Sequence, residues 1–69
     1  MLHTEDSATL RARLHELSVE HRDLDEAIDR LLATPTEDQL LLRRLKKRKL
    51  LLKDRMALLE RMLEPDVPA

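Results

Sequence analysis

The sequence contains no cysteine, no glycine and no aromatic residue. Each absence excludes something. Without cysteine there is no disulfide and no thiolate metal site. Without glycine there is no phosphate-cradling loop and no dinucleotide fingerprint. Without Phe, Tyr or Trp there is no platform on which nucleic-acid bases stack. β-Branched residues are few and glycine turns are missing, so the composition argues against a β-rich fold. No long apolar run exists, so no membrane span is expected. The first residues, Met1-Leu2-His3-Thr4-Glu5-Asp6, are acidic and resemble neither a signal nor a transit peptide. The expected location is therefore cytoplasmic.

Leu, Ala, Arg, Lys and Glu dominate what remains, which is the composition of long helices. At 69 residues the chain forms one domain, 1–69. A chain this short buries little core and relies on oligomerisation or idealised helix packing for stability. The net charge of −1 gives no bulk attraction to DNA or to an anionic membrane.

Two helices are predicted, over about 7–33 and 37–63, with frayed tails at 1–6 and 65–69. Ser7 or Thr4 is the expected cap of the first. Its apolar seam reads Leu10, Leu14, Leu17, His21, Leu24, Ile28 and Leu31, at alternating steps of four and three. Pro35 breaks the pattern and disfavours helix at Thr34. Thr36 followed by Gln39 forms a capping-box pattern, with Glu37 and Asp38 in the first turn of the second helix. The second seam reads Leu42, Leu45, Lys49, Leu52, Met56, Leu59 and Leu63, and Pro65 stops it. A connection this short favours an antiparallel two-helix hairpin, coiled-coil-like and all-α.

Charge is distributed unevenly. Glu16, Glu20, Asp23, Asp25, Glu26 and Asp29 face only Arg22 within their stretch. Arg43, Arg44, Lys46, Lys47, Arg48, Lys49, Lys53 and Arg55 face only Asp54. Folding at Pro35 brings the two runs side by side, with Glu20 near Lys49, Glu16 near Lys53 and Asp25 near Arg44. Flanking charges of this kind select register and orientation. The basic run is thus read first as a helix face paired within the fold. The alternatives are an acidic protein partner, or phosphate contacts through Arg43, Arg44, Lys46, Lys47 and Arg48.

On a wheel of about 100° per residue, Leu40, Leu51, Leu58 and Met62 lie roughly 100–140° away from the second seam. One facing helix covers a stripe of only about 100°. These four residues are therefore expected to contact another chain, most simply a second copy. The competing expectation is that the N-terminal segment folds back over them.

Candidate chemistry is sparse. His15 and His21 are not spaced to share one face as ligands, and His3 lies in the expected tail, so no metal site is assigned. His21 occupies a seam position, where a polar group sets register. Glu20 and Asp25 have no cleft in which to act as a catalytic pair. Ser7 and Ser18 have no base at motif spacing, and Asp54 between Lys53 and Arg55 reads as a surface ion-pairing residue. No catalytic residue and no cofactor is expected. A membrane-surface role is disfavoured because the cations encircle the helix and no aromatic anchor is present.

Two segments carry a family resemblance. His21-Arg-Asp-Leu-Asp25-Glu-Ala-Ile28 resembles the H-x-x-L-D-x-x-I segment of the YdcH-like family of small bacterial proteins. Leu45-Lys-Lys-Arg-Lys-Leu-Leu-Leu-Lys-Asp54-Arg-Met56 resembles its L-K-K-x-K-L-x-L-K-D-x-I segment. The matching positions are His21, Leu24, Asp25 and Ile28, then Leu45, Lys46, Lys47, Lys49, Leu50, Leu52, Lys53 and Asp54. Met56 stands where isoleucine is usual, and the corner Thr34-Pro35-Thr36 is shorter than in some relatives. The resemblance implies a cytoplasmic helical hairpin without an assigned activity, catalytic residue or cofactor. The expected function is a protein–protein interaction or structural module. Its alternative is a nucleic-acid-associated protein using Arg43 to Lys49.

Overall fold

A computed structural model describes residues 6–34 and 38–64. They form two α-helices, α1 over Ser7–Ala33 and α2 over Gln39–Leu63. α1 is rich in Leu, Ala, Arg and Glu and α2 in Leu, Arg and Lys, residues that lose little side-chain freedom in a helix. Neither contains an internal proline or glycine.

Aspartates cap both helices. The Thr9 backbone N–H donates to the Asp6 carboxylate at 2.8 Å, and the Leu41 N–H donates to Asp38 at 3.0 Å. Each cap satisfies an amide that has no partner within its helix. This corrects the expected caps. Ser7 is the first helical residue rather than the cap, and Thr4 lies outside the described residues. Asp38 sits before the first turn of α2, which begins at Gln39 rather than at 37. Thr36, the capping residue of the expected box, and Glu37 lie outside the described residues, as do 1–5 and 65–69 of the expected tails. Asp6, placed in a frayed tail by the sequence, is engaged as a cap.

Proline sets both ends. Thr34, which precedes Pro35, has φ −106° and ψ 129°. Glu64, which precedes Pro65, has φ −68° and ψ 138°. Both are extended, the region to which a following proline confines a residue. The Thr34 N–H still donates to the Arg30 carbonyl at 3.1 Å, closing the last turn of α1.

The helices pack as an antiparallel hairpin. On α2 the residues that escape full exposure are Leu42, Leu45, Lys49, Leu52, Met56, Leu59 and Leu63, the same positions as the seam predicted from spacing. On α1 the predicted seam is likewise covered, joined by Ser18, Glu20, Asp25 and Ala27 at its margins. Among the described residues only Leu10, Ile28, Leu52 and Leu59 are buried. A core of this size is marginal for a chain of this length.

Candidate functional site

Two kinds of feature remain once the seam is closed: polar groups within it, and apolar groups left outside it. The polar set centres on His21, Asp25 and Lys49. Lys49 sits in the α2 seam and extends its ammonium to the Asp25 carboxylate on α1. A lysine stem packs against apolar neighbours while its charged end reaches outward. This hydrogen bond is the largest cause holding the Asp25 carboxyl below its ordinary value; desolvation opposes it, and His21 nearby adds to the lowering. His21 Nε2 is buried with no hydrogen-bond partner.

A second interhelical pair lies on the opposite flank. The Arg48 guanidinium donates to one Glu20 oxygen, at 3.1 Å from Nε and 2.9 Å from Nη2. The acidic and basic runs therefore do pair across the hairpin, but with exchanged partners. Glu20 takes Arg48 rather than Lys49, and Asp25 takes Lys49 rather than Arg44. Glu16 and Lys53 form no ion pair among the described residues. The reason is azimuthal. Matching residue numbers across the corner gives height along the hairpin but not flank. On the helical wheel Glu20 and Arg48 fall on one flank, whereas Asp25 and Lys49 fall on the other. The lysine arm then spans the axial offset of about 7 Å that five residues produce.

The apolar set lies on the Glu20–Arg48 flank. Leu40, Leu51, Leu58 and Met62 are 59%, 54%, 49% and 56% exposed. Leu51 and Leu58 line a groove of about 440 Å³ whose floor includes Leu17 and Leu52 and whose edges include Arg13, Arg48 and Arg55. Leu40 and Met62 are exposed toward the two ends of α2 and do not line it. Spacing identifies these four but not Leu32, Leu41 and Leu50, which are also exposed. Leu50 lies on the other side of α2, lining a groove of about 310 Å³ with Ile28, Lys46, Lys49 and Lys53. Leu50 falls on neither apolar stripe of the wheel, so no periodicity marks it.

The residues proposed for phosphate contact do not converge. Arg43, Arg44, Lys46, Lys47 and Arg48 are all exposed, but successive positions turn by about 100° and so encircle the helix. Arg48 is engaged by Glu20. Of the family-motif positions, Leu24, Ile28, Leu45 and Leu52 serve the seam, His21, Asp25 and Lys49 its polar centre, and Lys46, Leu50 and Lys53 the second groove. Lys47 and Asp54 are exposed, and Asp54 also lines the first groove. No helix among the described residues is long and apolar enough to cross a membrane. No histidine and carboxylate group suited to a metal ion occurs among them.

Residues 14–60 match the family described as "Protein of unknown function (DUF465)". No curated protein and no solved structure matches the chain. The matched stretch spans both motif segments, the corner between them and most of both helices, and the chain belongs to this family.

Proposed function

We propose that this chain is a small non-enzymatic helical-hairpin module of the cytoplasm that acts by protein–protein association. The observation that carries the reading is the exposure of Leu40, Leu51, Leu58 and Met62 along one side of α2. A large, aligned apolar surface beside an already closed seam has no role within the hairpin, and such surfaces mark association sites. The arginines beside it favour a partner surface that carries carboxylates. The reading is non-enzymatic because both grooves are open to solvent and lined mainly by leucines, arginines and lysines. General acid–base work needs a titratable pair held in a shielded site.

The test is site-specific photocrosslinking in living cells. A photoreactive residue replacing Leu51 or Leu58 is expected to yield discrete crosslinked species, whereas one replacing Glu26, which is exposed and lines neither groove, yields fewer. Equal or absent crosslinking at all three positions would overturn the reading.

One observation favours a second reading. Arg43, Arg44, Lys46 and Lys47 form no ion pair among the described residues, which leaves them available to phosphates. Binding of that kind weakens steeply with salt. A mobility shift with duplex DNA at low ionic strength, lost on raising salt, would support it. No shift at low ionic strength would remove it.

A further inference from the structure

The α2 residues beside the seam form a second heptad of their own: Leu41, Arg44, Arg48, Leu51, Arg55, Leu58 and Met62, at alternating steps of three and four. All seven are exposed. Four are apolar and three are arginines. The groove that Leu51 and Leu58 share with Leu17 and Arg13 places this row on the same side of the hairpin as one row of α1. That row reads Thr9, Arg13, Glu16, Glu20, Asp23, Ala27 and Arg30, again in heptad spacing, with three carboxylates at its centre. One broad face of the hairpin therefore carries an arginine–leucine row beside a carboxylate row.

We propose that this face binds a second copy of the chain, so that α2 of each copy lies antiparallel on α1 of the other in a four-helix bundle. The inference rests on the association reading above and names its partner. Charge, size and need select this occupant and this arrangement. First, charge. A two-fold axis parallel to the helices sets the arginine row of one copy over the carboxylate row of the other. Heights matched across the corner put Glu16, Glu20 and Asp23 of one copy among Arg44, Arg48, Leu51 and Arg55 of the other. Stacking α2 on α2 instead sets arginine rows against each other, which costs association energy. The existing Glu20–Arg48 pair then meets its symmetry mate at the axis, giving two carboxylates and two guanidiniums in one layer. Second, size. A face about 37 Å long and roughly 20 Å wide offers about 700 Å² per copy, close to the ~800 Å² per partner of a standard interface. Third, need. Only four residues are buried among those described, and a bundle covers Leu51, Leu58 and Met62 as well.

Paired charge reversals test the arrangement. Arg44, Arg55, Glu16 and Asp23 are exposed and form no ion pair among the described residues, so their substitution leaves the hairpin intact. Far-UV circular dichroism checks that it does. Sedimentation equilibrium of the wild type is expected to give twice the single-chain mass. The Arg44→Glu/Arg55→Glu variant and the Glu16→Lys/Asp23→Lys variant each bring like charges together, weakening self-association by roughly tenfold or more. Mixing them restores complementarity at both contacts and restores the double mass. A monomeric wild type, variants that associate as well as wild type, or a mixture that stays monomeric would each overturn the proposal. If the wild type is monomeric while crosslinks persist in cells at Leu51 and Leu58, the second copy is wrong and the association reading stands. If both are absent, both are wrong.

Discussion

Arg48 on α2 holds Glu20 on α1 through two hydrogen bonds to a single carboxylate oxygen, 2.9 Å from Nη2 and 3.1 Å from Nε. Both side chains are about half exposed. The pair therefore orients the helices more than it stabilises them. In the single chain, at low protein concentration, a double-mutant cycle with Glu20→Gln and Arg48→Gln in thermal denaturation is expected to give a coupling of about 0–1 kcal/mol. A coupling of several kcal/mol would mean that the pair is shielded from solvent, as the proposed two-fold bundle requires of its associated form. The coupling is therefore expected to rise with protein concentration, and a large coupling already present at low concentration would contradict the exposed pair.

Leu52 and Leu50 are two residues apart but stand at opposite extremes of exposure, 3% against 62%. Leu52→Ala removes a large part of the small core and is expected to cost about 2–5 kcal/mol, enough to unfold a marginal hairpin. Leu50→Ala is expected to stay within about 0.5 kcal/mol. Chemical denaturation measures both. Equal effects would contradict the assigned seam.

His21 sits in the same seam with its Nε2 buried and unpartnered. Leucine at this position removes a polar atom whose desolvation is uncompensated. His21→Leu is therefore expected to stabilise the fold by about 1–3 kcal/mol, seen as a higher melting temperature. The same change removes a polar marker of register, so its cost should show as less specific helix pairing. A lower melting temperature would mean that the imidazole has a partner that holds it in place.

Asp6 and Asp25 give the hairpin an acid limit. The Thr9 backbone amide lowers the Asp6 carboxyl, and the Lys49 hydrogen bond lowers that of Asp25. With folded values below the ordinary 3.8, each contributes stability that is present above the unfolded value and is lost as pH falls through the folded one. An Asp6→Asn/Asp25→Asn variant should therefore melt below wild type at neutral pH. The gap should close as pH drops below about 4. A gap independent of pH would contradict the assignment.

Much of this fold is legible in the sequence, and the reasons are particular. Heptad spacing identified each covered position of α2, Lys49 included, because a lysine in a leucine seam keeps the period. Pro35 and Pro65 marked both helix ends, because proline acts on its neighbour through local sterics. The caps were harder. Asp6, Ser7, Thr36 and Asp38 are all competent cap residues, and spacing alone does not choose among close neighbours. Partner choice for Glu20 and Asp25 is lost when residues are matched by height alone, because a linear register carries no flank; the helical wheel supplies it. The exposed stripe of Leu40, Leu51, Leu58 and Met62 was visible from the wheel, since a second apolar row cannot face the same partner helix. Exposed Leu32 and Leu50 were not, because isolated surface leucines follow no period.

The association surface on α2 is tested most directly by sedimentation equilibrium of the wild type beside Leu58→Glu, over a wide concentration range. The wild type is expected to approach twice its 8.1 kDa mass. Leu58→Glu, which places a charge on an exposed position outside the seam, is expected to remain helical and to sediment at the single-chain mass. A wild type that stays at the single-chain mass throughout, or a Leu58→Glu variant that associates as the wild type does, would contradict the account.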